Sequence, residues 1–344
     1  MRGTTITTTD PLRHHGDSEA PPGLLDLAVN VRGEAPPPWL ISRLERSLRQ
    51  LAKYPDPTVA TEAVARRHDR DPAEVLVTAG AAEAFLLLAR ALTPQHAVCV
   101  HPSFTEPEAA LRAAGHAVER VVLDPPYALD PSLIPDSADL VVVGNPTNPT
   151  GIVHERLAEL CRPGRITVVD EAFMDAIAGE PDSLAGARLP GLVVVRSLTK
   201  TWALAGLRVG YVLAEPETVQ LLRNVQPLWS VGTPSLVALD ACSQRGPVKQ
   251  AERDAAAVAQ ERERLSADLA ALGVEVTPGS QAPYLLCRVP GRPEVREALR
   301  AEGVAVRRGD TFPGLGAEHW RTAVRNAEAS DLLCAALRRV LEAG

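Results

Sequence analysis

Lysine is almost missing from this chain. In 344 residues it occurs only as Lys53, Lys200 and Lys249, while arginine and alanine abound. Each lysine is therefore worth placing. Paired cysteines are missing too. Cys99, Cys161, Cys242, Cys287 and Cys334 are scattered, with no CxxC spacing among them. That pattern points to neither a metal site nor a disulfide framework, and it suits a reducing cytosol. Three of the five lie in apolar runs, where a free cysteine acts as a small hydrophobe. No apolar run approaches the ~20 residues needed to span a bilayer. Residues 1–22 are polar and lack an apolar stretch, so no secretory signal is expected, and residues 1–10 read as a disordered tail. There is no basic block, and the formal net charge is −7. Nucleic acid or an anionic membrane surface is thus excluded as the main partner. A hydrophobic content of 45% marks a globular protein with length for roughly two domains.

Strand-like and helix-like stretches alternate through the first two thirds. Strands are expected at 24–30, 74–78, 97–101, 118–123, 140–144, 166–169, 193–196 and 209–214. Helices are expected at 39–51, 59–68, 81–92 and 104–114, and one beginning at 154. Near-continuous apolar strands in such an alternation predict an α/β fold, a mostly parallel sheet covered on both faces. A long helical stretch at 235–272, with an interruption expected near Gly246-Pro247, leads to a smaller α+β unit. Its strands are expected at 274–276, 284–289, 305–308 and 320–325, its helices at 294–302 and 331–341. The expected division is a tail, 1–22, a large unit, 23–235, and a small unit, 236–344.

Gly80, the heptapeptide Asn145–Gly151 (NPTNPTG), Asp170 and the run Ser197–Lys200 (SLTK) each follow the carboxyl end of an expected strand. Sites on open α/β sheets form there. A lysine set between two strand-like runs, three residues after Ser197 and eight before Arg208, suits condensation with the aldehyde of pyridoxal phosphate. Such a lysine must be desolvated and partly deprotonated.

Taken together, SLTK, VVDEA, NPTNPTG and the Gly80-Ala81-Ala82-Glu83 turn resemble those of the fold-type I pyridoxal-phosphate enzymes. The resemblance runs from about His14 to the C-terminus. It is closest to the branch of histidinol-phosphate aminotransferase and threonine-phosphate decarboxylase. It implies a large domain with a mostly parallel sheet and a smaller α+β C-terminal domain.

By this resemblance, Lys200 bonds the cofactor and then moves protons at Cα. Asp170 faces the pyridine nitrogen, Asn148 the ring O3′, and Phe104 stacks on the ring. Gly80, Ala81, Ala82, Ser197, Thr199 and Arg208 hold the phosphate. Tyr54 reaches the neighbouring subunit's cofactor, which implies a homodimer. Arg321 grips the substrate carboxylate, and Arg325, four residues on, could share that role. Arg307 or Arg308, with Arg307 favoured, meets a substrate phosphate. His14 or His15 begins an HG-type motif near that phosphate, and Asn30 matches a substrate-side asparagine. The expected partner is a small amino acid, and the expected compartment the cytoplasm.

Transamination breaks Cα–H and decarboxylation breaks Cα–carboxylate. Glu106 and Phe173 stand where many aminotransferases carry aromatic or tyrosine residues, which favours the decarboxylase. Pro107, where a tyrosine is common, and Gly232, where the decarboxylase branch has an asparagine, count against it. The first expectation is therefore decarboxylation of threonine phosphate, in cobalamin biosynthesis. The alternative is an aminotransferase of the histidinol-phosphate or aromatic type. A transcription regulator built on the same fold would need a basic DNA-binding domain, for which the ~40 residues before the core are too few.

Overall fold

The computed structural model describes residues 11–14 and 16–342. The expected tail at 1–10 and His15 lie outside the described residues. In chain order the chief elements are β1 (Leu25–Asp26), α1 (Pro38–Ser47), α2 (Thr58–Arg67), β2 (Val75–Thr78), α3 (Ala81–Ala91) and β3 (Ala97–His101). Then come α4 (Glu106–Ala113), β4 (Val118–Val122), β5 (Leu140–Gly144), β6 (Ile166–Asp170), β7 (Leu192–Ser197) and β8 (Gly210–Ala214). After α5 (Pro216–Val225), α6 (Thr233–Ser243) and α7 (Arg245–Ala271) follow β9 (Glu275–Val276) and β10 (Tyr284–Arg288). The chain ends with α8 (Val295–Ala301), β11 (Val304–Ala305), β12 (Arg307–Arg308), β13 (His319–Ala323) and α9 (Ala327–Glu342).

The large sheet has the order β2-β8-β7-β6-β5-β3-β4. Only β8 runs against its neighbours. Strands β5 and β7 are buried throughout, as two covered faces require, whereas edge strand β4 is largely open. Alternate residues feed two cores: Val141, Val143 and Val194 join one, while Leu140, Val142, Val193 and Val195 join the other. A third core lies in the small unit, where Leu265, Leu285, Trp320, Leu333 and Leu337 meet around the sheet β12-β13-β10-β9.

Five expectations need correction. The strand at 24–30 shrinks to β1. Beyond it Asp26 Oδ1 accepts from the N–H groups of Ala28 and Val29 at 2.9 Å each, turning the chain off the strand. The helix beginning at 154 is only a 3-10 turn, Leu157–Leu160. His154 is drawn inward, its ring bonded to Thr147 at 2.9 Å and to the Leu129 N–H at 3.2 Å. The helix at 104–114 starts two residues late, which leaves Phe104 in a turn. The division at 235/236 falls inside α6, whose Leu236 and Leu239 pack into the first core of the large sheet. Gln244 is in extended conformation between α6 and α7. The strand at 320–325 ends at Ala323. No helix among the described residues is long and apolar enough to cross a membrane.

Candidate active site

Parallel pairing aligns the ends of β5 and β6, since Gly144 opposes Asp170, and Asp170 in turn opposes Val195 of β7. Beyond those ends lies a cavity of about 560 Å³. Lys200, Asp170, Asn148, Phe104, Ala81, Ala82, Ser197, Thr199 and Arg208 line it. Asn30, Arg307, Arg321 and His14 line it as well. Nearly every residue singled out in the sequence thus faces one space.

Lys200 is pushed down to about 8 by burial, with Arg321 and Arg208 adding repulsion. Far more neutral amine follows near neutral pH than an ordinary lysine offers. Asp170 moves the other way. Burial raises its carboxyl to about 7, and the Ala172 N–H at 3.1 Å opposes only part of that. A carboxylate so raised awaits a cation on its open side.

The phosphate cradle is built on the start of α3. Gly80 caps that helix at φ 81°, ψ 171°, and no side chain caps the free N–H groups that follow. Those of Ala81 and Ala82 are therefore left for an anion. Glycine is required twice over: a Cβ at Gly80 would lie 2.7 Å from Arg208 Nη2, and φ is positive. Arg208 itself adopts a left-handed φ of 53° and donates from Nη1 to the Ala205 carbonyl at 3.1 Å. Ser197 and Thr199 share a hydroxyl hydrogen bond of 2.8 Å. Backbone N–H groups, two hydroxyls and a guanidinium suit a phosphate dianion.

Arg321 and Arg307 form the far wall, 5% and 4% exposed. Arg321 donates to Asn148 Oδ1 at 2.5 Å and to the Ala28 carbonyl, and lies 5.4 Å from the Tyr284 ring centroid. With its amide oxygen turned inward, Asn30 accepts from Arg321 at 3.1 and 3.3 Å. These partners are all neutral, and burial pushes Arg321 down to about 9. Arg307 donates to the His14 carbonyl and the Thr311 hydroxyl at 2.7 Å each, and to Glu19 at 3.4 Å.

Three expected residues stand elsewhere. Arg325 lies beyond the end of β13, so strand alternation no longer aims it beside Arg321. Its guanidinium donates to the carbonyls of Val29, at 2.8 Å, and Val31, outside the main cavity. Arg308 forms a bidentate pair with Asp310 at 2.6 and 2.5 Å on the outer side. Tyr54 is 76% exposed, stacked on Trp229 at 4.3 Å, and is absent from this chain's own cavity wall.

Some site residues escaped the sequence. Glu19 is buried where Arg307, Arg296 and His14 converge, with contacts of 3.4, 2.9 and 2.7 Å. No motif links residues so far apart in the chain. Phe312, its ring centroid 5.0 Å from the Arg307 guanidinium, follows it by five residues and carries no motif of its own.

The sequence pattern of the family "Aminotransferase class I and II" matches residues 22–337. The chain belongs to that family. Its similarity to a Mycobacterium tuberculosis (H37Rv) protein named histidinol-phosphate aminotransferase is 50% identity over 325 residues, 92% of this chain and 89% of the other. To the threonine-phosphate decarboxylase of Salmonella typhimurium LT2 it is 30%, over 94% of this chain and 92% of that one. The Sinorhizobium meliloti histidinol-phosphate aminotransferase in complex with pyridoxal 5′-phosphate shares the fold. Its TM-score is 0.79 at 20% identity, over 92% of this chain and 90% of that one. This class I and II aminotransferase relative is a pyridoxal-phosphate-dependent enzyme, and its cradle at Gly80 and its raised Asp170 fit that cofactor.

Proposed function

We propose that this enzyme moves an amino group from a phosphate-bearing amine of the histidinol-phosphate type to an oxo acid such as 2-oxoglutarate. One observation carries the proposal. Two arginines, Arg321 and Arg307, are buried in the wall of the cavity that also holds Lys200. Two fixed cations let one cavity take, in alternate turns, a phosphorylated amine and a dicarboxylate. The 50% identical relative is an aminotransferase by name, against 30% for the decarboxylase, so the order of the two sequence expectations is reversed.

When bound, the cofactor supplies an electron sink conjugated to the substrate's amino group. Lys200 would hold it, and its amine would take and return the proton at the substrate's Cα. Burial beside Arg321 and Arg208 readies the neutral amine for that task. Asp170 would stabilise a protonated ring nitrogen, Asn148 would donate to the ring oxygen, and Phe104 would cover the ring face. Gly80, Ala81, Ala82, Ser197, Thr199 and Arg208 hold the phosphate. Arg321 holds the carboxylate with Asn30 behind it, and Arg307 the distal anion. His14 stands beside Arg307.

The enzyme works as a homodimer in which Tyr54 reaches the neighbour's cofactor phosphate. Exposure of Tyr54, Trp229 and Leu228, at 76%, 55% and 78%, supports such a covered face.

The test is an assay with purified protein and pyridoxal phosphate. Histidinol phosphate with 2-oxoglutarate should give glutamate over many turnovers. Carbon dioxide from threonine phosphate without an oxo acid, and no glutamate in the first assay, would overturn the aminotransferase in favour of the decarboxylase.

A further inference from the structure

Glu83 stands in the first turn of α3, whose N–H groups face the cavity. A carboxylate so close to a phosphate cradle works against the anion unless it has another task. Its contacts show one. Oε2 accepts from the Ala79 N–H at 2.5 Å, which fixes the turn before Gly80. Glu83 thus satisfies a donor outside the helix and leaves those of Ala81 and Ala82 to the cradle.

The same oxygen also accepts from Gln226 Nε2 at 3.3 Å and from the Ser230 hydroxyl at 3.4 Å. Gln226 donates as well to the Val77 carbonyl of β2, at 2.9 Å. Between Gln226 and Ser230 the chain carries Leu228 and Trp229. Trp229 is held at φ 57°, a conformation uncommon outside glycine, with its ring on Tyr54. One carboxylate oxygen therefore ties the turn of the cradle to the loop that bears the exposed aromatic face.

We propose that Glu83 is a positioning residue that links cofactor retention to subunit pairing, by clipping the phosphate cradle to the Tyr54–Trp229 face. The proposal rests on the homodimer proposed above. Covering Trp229 would hold the loop, the loop would hold Glu83, and Glu83 would hold the Ala79–Gly80 turn. Linkage is reciprocal, so the cofactor should tighten the dimer by the factor by which the dimer tightens the cofactor.

The test measures pyridoxal-phosphate affinity by fluorescence titration, and the dimer dissociation constant by analytical ultracentrifugation with and without the cofactor. In the wild type, cofactor should tighten the dimer about tenfold or more, a coupling within the usual allosteric range. Glu83→Ala should weaken cofactor binding and reduce that factor severalfold, down to the share that Tyr54's direct contact supplies. Glu83→Gln, which keeps the acceptor, should restore most of both. Gln226→Ala keeps the bond to Ala79, so it should lower the coupling while cofactor binding to the monomer stays near normal. Thermal melting separates these effects from a general loss of fold. A wild-type protein that stays monomeric at all concentrations would overturn the homodimer and the linkage with it. A dimer whose affinity ignores the cofactor, or a Glu83→Ala variant with unchanged coupling, would overturn the linkage alone.

Discussion

Two of the arginines buried in this protein live in opposite surroundings. Arg196, 1% exposed, meets Glu171 at 2.9 Å, Glu180 at 2.7 Å and Asp175. Burial would push it down, but the carboxylates outweigh that and raise it well above its ordinary value. Arg321, 5% exposed, meets only amide and carbonyl oxygens and a phenol ring. Nothing outweighs burial there, so it moves down. Burying a charge is costly unless it is paired. A chain that pairs Arg196 internally and leaves Arg321 without a carboxylate has assigned the first to its fold and the second to a ligand.

The comparison breaks first at Arg196. Replacing it with Ala would strand Glu171 beside a void and leave Asp175 and Glu180 to Arg67 alone. Removing one partner of a buried pair costs about 3–5 kcal/mol. The expected result is a large fall in Tm or loss of soluble protein, read by thermal melting. Arg321→Ala should do the reverse. It leaves no carboxylate unpaired, so Tm should hold or rise, while kcat/KM falls. Loss of a buried charge contact with a ligand costs about 2–5 kcal/mol, some thirtyfold to several thousandfold. A marked fall in Tm for Arg321→Ala would make it a structural residue like Arg196.

The same contrast holds between two aspartates. Burial pushes Asp175 up, but Arg67 and Arg196 outweigh it and hold it at about 2. Asp170 has only the Ala172 N–H and Lys200 against its burial, with Glu171 adding to it, and rises to about 7. The signs differ accordingly. Asp175 binds fewer protons folded than unfolded, so its stabilisation is present above pH 3.8 and is lost as pH falls through about 2. Asp170 binds more protons folded than unfolded between 3.8 and about 7, so the free protein should lose stability as pH rises across that window. Asp170→Asn should flatten that part of the Tm profile in protein stripped of cofactor. An unchanged slope would place its source elsewhere.

The fold was legible because its signals are local. A run such as Leu140–Gly144 is apolar at every position because both faces are covered, and the sequence shows that directly. The cofactor side was legible for a related reason: Gly80, Asp170 and Ser197–Lys200 follow strand ends, and strand pairing brings strand ends together. The substrate side was less so. Asn30, Arg307 and Arg321 come from distant segments, and Glu19 belongs to no motif. Arg325 misled because strand alternation was carried two residues past Ala323, where the strand stops.

The smallest expected effect is the sharpest control, because it compares neighbours. Arg307 and Arg308 both belong to β12, where successive side chains point to opposite faces. Arg307 faces the cavity, and Glu19, Thr311 and the His14 carbonyl already occupy part of its fork. Arg307→Ala should therefore cost less than Arg321→Ala. A lost hydrogen bond to a charged group is worth about 1.5–3 kcal/mol, roughly ten- to a hundredfold in kcat/KM. The loss should be confined mainly to the phosphate-bearing substrate and be slight for one whose distal end is neutral. Arg308 is paired with Asp310 in solvent, and exposed pairs are worth about 0–1 kcal/mol. Arg308→Ala should leave kcat/KM for both substrates unchanged within twofold. If it matched Arg307→Ala, a general change in positive charge near the mouth, and not a directed contact, would govern how the distal anion is read.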